Sequence, residues 1–132
     1  VQIDPETLRV RDRAKVGFSP TTLAVGEGSV WVVNFDKTIT RVAAGDLGSS
    51  KTVTLQQQAS AITVGDGFVW ATLPEADAVV RIDPSSNEPV GAPLPVGDDP
   101  QGIAYGEGKL WVANQGDDTI TEIDLHPDPT GG

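Results

Sequence analysis

The sequence has no cysteine, no methionine and one histidine, His126, in 132 residues. Without cysteine there is no disulfide framework and no thiolate metal site. Without methionine, and with Val1 first, the chain reads as an excised domain or a processed product. Basic residues are also scarce: 9 Lys and Arg stand against 19 Asp and Glu, a formal net charge of −10, with a pI near 4.2. Nucleic acid and anionic membrane would both be repelled, so neither is an expected partner. No apolar run approaches the roughly 18–20 residues that span a bilayer, and no signal-peptide pattern is present, so this segment is not expected to insert into a membrane. Helical periodicity is missing too, and Pro74, Pro84, Pro89, Pro93 and Pro95 would interrupt a helix over that stretch. At this length the chain is expected to hold one domain of ordinary size.

What the sequence does contain is a repeat. GEGSVW from Gly26 returns as GDGFVW from Gly65 and as GEGKLW from Gly106. The three tryptophans, Trp31, Trp70 and Trp111, are 39 and then 41 residues apart. Leu23–Val25, Ile62–Val64 and Ile103–Tyr105 precede the loops. Ile39–Val42, Val79–Ile82 and Ile120–Ile123 follow each tryptophan at a similar distance. The opening Val1-Gln2-Ile3-Asp4-Pro5 matches Val80-Arg81-Ile82-Asp83-Pro84, so the chain enters the repeat part-way through.

Each copy resolves into four short runs, a to d, rich in Val, Ile, Thr and Trp and bounded by Gly, Pro, Asp and Asn, which is the strand signature. In the second copy they are Ala61–Val64, Phe68–Thr72, Ala78–Ile82 and Val90–Val96. Four antiparallel strands every 40 or so residues make the blade of a β-propeller, an all-β fold. Counting gives about three blades. Residues 1–17 hold strands c and d of an incomplete blade, 18–55 and 56–97 are full blades, 98–125 is a blade lacking its outer strand, and 126–132 is a Pro/Gly-rich tail. Propellers typically have four to eight blades. The ring is therefore expected to be closed either by a second chain, making a six-bladed homodimer to which each copy donates its outer strand at residues 8–16, or by the remaining blades of a longer propeller.

The stretches LAVGEGSVWVVN…ITRV and IAYGEGKLWVANQGDDTITEID resemble the YVTN and NHL-like propeller repeats of bacterial surface and secreted proteins. In actinobacteria such repeats are often joined to receptor-type serine/threonine kinases or to substrate-binding proteins, and the streptogramin (virginiamycin B) lyases have a similar blade. The resemblance implies an extracellular or cell-surface location. A lyase of that type would use a catalytic histidine and a metal ion in its channel. His126 lies instead in the tail, where no blade position matches that role.

The Gly-acid-Gly loops lead into strands. A phosphate cradle leads into a helix, and a calcium loop needs several acids. Gly26, Gly28, Gly65, Gly67, Gly106 and Gly108 therefore read as structural hairpin glycines accepting positive φ. The tryptophans read as packing between blades. Arg41 and Arg81 share one strand position and are expected to form inter-blade salt bridges. No catalytic residue, metal site or cofactor is expected. The b–c and d–a loops share the opposite face and vary among the copies, as a functional face on a fixed scaffold would. Its candidate ligand-binding residues are Asn34, Phe35, Asp36, Glu75, Asp77, Asp98, Asp99, Gln101, Asn114, Asp117 and Asp118. Their charge suits a basic peptide, a protein or a cation. The expected function is a non-catalytic extracellular sensor or interaction module. The alternatives are part of a propeller lyase, or a structural half-propeller that self-assembles.

Overall fold

The computed structural model describes residues 2–3, 10–12, 16–17, 19–43 and 45–125. The tail with His126, and much of the proposed outer strand at 8–16, lie outside them. Two short strands, β1 (Gln2–Ile3) and β2 (Val10–Asp12), pair antiparallel. Three larger antiparallel sheets follow. The first runs in the order β3 (Pro20–Gly26), β4 (Ser29–Asn34), β5 (Thr38–Ala43), β6 (Asp46–Thr54). The second has β7 (Ile62–Gly65), β8 (Phe68–Leu73) and β9 (Ala78–Asp83), with β10 (Glu88–Pro89) and β11 (Leu94–Pro95) both on β9. The third is β12 (Pro100–Gly106), β13 (Lys109–Asn114) and β14 (Thr119–Asp124).

Each sheet is a meander of neighbours in sequence, as β-branched runs joined by tight turns dictate. The second outer strand departs from the continuous run expected at 90–96. It meets β9 in two pieces, through Glu88 and Pro89 and again through Leu94 and Pro95. Gly91 sits at φ 70° between them. Prolines cannot donate to a ladder and are tolerated on an edge, which is where this strand lies.

The repeat glycines divide into two kinds. Glu27, Asp66 and Glu107 have φ of 54°, 56° and 54°, and the second glycines, Gly28, Gly67 and Gly108, have 70°, 79° and 76°. Positive φ at both central residues is the type I′ hairpin turn. The first glycine of each loop is not in that region and serves another purpose. A Cβ on Gly26 would lie 2.4 Å from Val64 Cγ1, and one on Gly65 would lie 2.1 Å from Tyr105 Cγ. These glycines are sockets for the side chain that precedes the next blade's loop.

The sheets stack through two apolar cores. Trp31, Val33 and Ile39 pack with Val69, Ala71, Leu73, Val80 and Ile82 between the first and second sheets. Trp70 and Val79 pack with Leu110 and Val112 between the second and third. Inner strand β7 touches β3 on one side and β12 on the other. Trp31 Nε1 and Trp70 Nε1 donate to the carbonyls of Gly26 and Gly65 at 3.1 and 3.0 Å. Trp31 and Trp70 thus bury their rings toward the next blade with their polar atoms satisfied, whereas Trp111, on the last sheet, is 40 % exposed. Arg41 lies over the Trp31 ring, 4.7 Å from its centroid, and reaches the next blade through the Pro84 carbonyl and Asn87 Oδ1. The cross-blade acceptors are neutral where the sequence suggested an acid, because the Pro84–Asn87 turn stands opposite the guanidinium. Arg81 lies over Phe68, 4.6 Å from the ring centroid.

A candidate binding face at the loop end

The b–c and d–a loops meet at one end of the sheets. Gln115 N–H and Gly116 N–H donate to the carbonyls of Asp99 and Asp98, and Phe35 N–H donates to Ser19 O. Loops of successive blades are also tied together. Gln58 Nε2 donates to Asn34 O at 2.7 Å, and Lys37 N–H donates to Gln58 Oε1. Asp99 N–H donates to Asp77 Oδ1 at 2.9 Å, and Ser60 Oγ donates to Pro100 O at 3.1 Å.

Several of the acids expected on this face brace the loops. Asp117 accepts from Asp98 N–H and from the Thr119 hydroxyl, at 3.2 and 2.5 Å. The Thr119 hydroxyl first, and the Asp98 N–H second, hold its carboxyl below the usual aspartate value of 3.8. Asp36 accepts from the Thr38 hydroxyl, and Asp99 accepts from Gln101 Nε2 at 2.6 Å. Asp98 and Asp118 are exposed, Asp118 at φ 57°.

Asn34 and Asn114 are buried and face inward. Asn114 Nδ2 donates to Thr119 Oγ1 and Thr121 Oγ1 at 3.1 and 2.9 Å, and its Oδ1 accepts from Gly97 N–H. Asn34 repeats the pattern with Thr38 and Thr40, but its Oδ1 has no hydrogen-bond partner among the described residues. The two amides stitch strand b to strand c at the loop end.

The structure brings Phe35, Glu75 and Gln101 together around a depression of about 350 Å³, lined also by Thr21, Gln58 and Pro74. Thr21, Ser60 and Gln101, all on its wall, occupy the same repeat position near the start of the three inner strands. Phe35 stands beside it, 62 % exposed. Gln58 and Ser60 were not singled out in the sequence. Their signal was only that they belong to a d–a loop, and their cross-blade bonds appear once the blades are stacked. A larger groove of about 880 Å³ opens at the rim, where Lys51 and Thr54 of β6 face Asn87, Glu88 and Pro89. It is a cleft between the outer strands of adjacent blades. Among the described residues no group of three or more His, Cys, Asp or Glu is placed to hold a metal ion.

The three stacked antiparallel sheets, of four, five and three strands, define part of a β-propeller, and similarity to solved structures agrees. The chain superposes on virginiamycin B lyase from Staphylococcus aureus with a TM-score of 0.70 at 16 % identity, covering 96 % of this chain and 48 % of that one. It superposes on AztD from Citrobacter koseri with a TM-score of 0.68 at 18 % identity, covering 87 % and 35 %. For hydrazine synthase from Kuenenia stuttgartiensis the TM-score is 0.63 at 17 % identity, covering 92 % and 42 %. This chain therefore spans half or less of these propeller chains. No protein-family model matches the sequence, and no curated protein matches it by sequence. The likeness is one of fold.

Proposed function

We propose that this chain is a non-catalytic interaction module of a bacterial surface or secreted protein, a β-propeller scaffold that binds a basic peptide or protein segment on its loop face. The observation that carries the reading is Phe35, a large aromatic left 62 % exposed beside a depression edged by Glu75 and Gln101. An exposed aromatic next to a concave site with polar groups converging on it is the usual anchor of a binding surface. The chain's charge of −10 would steer cationic partners toward it. The braced loops present the site with little to reorganise, which lowers the entropy cost of binding.

Fluorescence anisotropy with two labelled decapeptides, one alternating Lys and Phe and the other alternating Glu and Phe, tests this. The cationic peptide is expected to bind, and Phe35→Ala to weaken it about tenfold, the loss of one anchor of about 1.4 kcal/mol. Glu75→Gln is expected to weaken it less. Equal binding of both peptides, or indifference to Phe35→Ala, would refute the assignment.

A further inference from the structure

The outer strands of the first and second sheets present free edges that are guarded very differently. Among the described residues β6 pairs only with β5, and β10 and β11 pair only with β9. The second sheet's outer strand carries the devices that keep an edge from recruiting another strand. It comes in two short pieces, its register slips between Pro89 opposite Ile82 and Leu94 opposite Val79, and it holds Pro89, Pro93 and Pro95. β6 is nine residues long, has no proline, and keeps an unbroken register from Ser50 to Thr54. Lys51 is the only charged residue in that stretch, and its stem can lie along the sheet with the amine in water. The register also identifies which groups are free. Leu55 N–H donates to Lys37 O at 2.8 Å, Val53 stands opposite Ile39, and Lys51 stands opposite Arg41. Bonded and open pairs alternate along an antiparallel ladder, so Lys51 and Val53 direct their backbone groups at β5. The N–H and C=O groups of Ser50, Thr52 and Thr54 point off the sheet, and all three residues are exposed.

We propose that β6 takes an extended, uncharged segment of a partner protein as a fifth strand of the first sheet. Main-chain hydrogen bonds to Ser50, Thr52 and Thr54 supply the affinity, and alternate side chains supply the selectivity. The edge borders the rim groove of about 880 Å³, whose apolar lining is Leu55, Leu73 and Val80. These three are buried members of the core between the first and second sheets. Every second side chain of the added strand turns toward the second sheet and continues that established interface outward. Valine or isoleucine suits those positions, and threonine suits the positions between them. Lys51 and Glu88 are the only charged residues lining the groove, and they cancel, so a neutral segment is the one that matches. This rim surface is distinct from the loop face proposed for cationic peptides, and both of its walls belong to consecutive blades of one chain.

A labelled short peptide of alternating valine and threonine, titrated with the 132-residue chain and followed by fluorescence anisotropy, tests this. The peptide should bind saturably. Methylating every second peptide nitrogen should weaken binding at least about tenfold in one of the two phases and little in the other, because only alternate N–H groups of an added strand face β6. Thr52→Pro removes a donor that points off the sheet, so it should weaken the peptide about tenfold with little change in the melting curve. The methylated peptides leave the protein untouched and decide the matter if that variant does not fold. Phe35→Ala should leave this peptide's binding unchanged, which separates the rim from the loop face. No binding, equal binding in both methylation phases, or loss of binding on Phe35→Ala would overturn the inference. A chain that self-associates and protects the Thr52 and Thr54 amides from exchange without peptide would also overturn it, making a second copy the occupant.

Discussion

Replacing Gly65 by alanine puts a methyl group where the Tyr105 ring already stands. The new Cβ would lie 2.1, 2.4 and 2.5 Å from Cγ, Cδ2 and Cδ1 of that ring, against an optimum of about 3.5–4.0 Å between carbons. The ring must retreat by roughly 1.5 Å to relieve the contact. Its root atoms cannot swing away as the tip of a long side chain would, so β12 must shift with it. Overpacking of this kind costs about 1–3 kcal/mol. Removing a glycine from the unfolded chain offsets about 0.4–1 kcal/mol of that, which leaves a net loss of roughly 1–2 kcal/mol. Urea denaturation followed by tryptophan fluorescence measures it, with Trp70 buried beside the junction. In a Tyr105→Ala background the obstruction is gone, and Gly65→Ala should become neutral or slightly stabilising. The double-mutant cycle should then give a coupling of at least about 1 kcal/mol. An alanine equally harmful in both backgrounds would refute the socket reasoning, since the cost would then come from the turn and not from the neighbouring blade.

Asn114→Ala strands the Gly97 N–H that Asn114 Oδ1 now accepts from, so it should lower stability by about 1–3 kcal/mol. Asn34→Ala should cost less, because Asn34 Oδ1 has no hydrogen-bond partner among the described residues; denaturant titration of both variants checks the order. The Asp117 carboxyl should titrate below ordinary aspartate in an NMR pH series, and Thr119→Val should move it upward, since the Thr119 hydroxyl is the main cause of its shift. Because the folded value is lowered, the stabilising linkage is fully present above the unfolded aspartate range and is lost as pH falls through the folded value; Thr119→Val should lessen that loss. Phe35→Ala should leave the melting curve nearly unchanged, within about 0.5 kcal/mol, so that any loss of peptide binding reports the face and not the fold.

The architecture was legible because a propeller repeats its packing positions and so writes them more than once. Aligned on Trp31, Trp70 and Trp111, the sequence yields the strand order and the incomplete final sheet. It also marks the hairpin turns, but it could not separate the two glycine roles in each loop. The need for Gly26 and Gly65 arises from Val64 and Tyr105 on another blade, and nothing local to the loop encodes it. The site was legible only in outline. Naming the loop face groups Phe35, Glu75 and Gln101, but Asn34 and Asn114 look like solvent-facing loop residues until their threonine partners on strand c are placed. The split outer strand has a similar origin: Val90–Val96 has the composition of a strand, but only Leu94 and Pro95 within it join the β9 ladder, and the other piece, Glu88–Pro89, falls before it.

The central claim is that the first glycine of a blade's loop receives a side chain from the next blade, as Gly26 receives Val64 and Gly65 receives Tyr105. The absence of cysteine allows this to be trapped. The Cβ built on Gly26 lies 2.7 Å from Val64 Cβ, closer than the roughly 3.5–4.5 Å of a disulfide, so Gly26→Cys with Val64→Cys should close within one chain on mild oxidation once the two strands part by about 1 Å. Gly106→Cys with Val64→Cys serves as the control, since a Cβ on Gly106 meets nothing within 4 Å, and it should stay reduced in dilute protein, as seen by non-reducing electrophoresis and intact mass. A Gly26→Cys, Val64→Cys variant that stays reduced, or one that closes no faster than the control, would contradict the account.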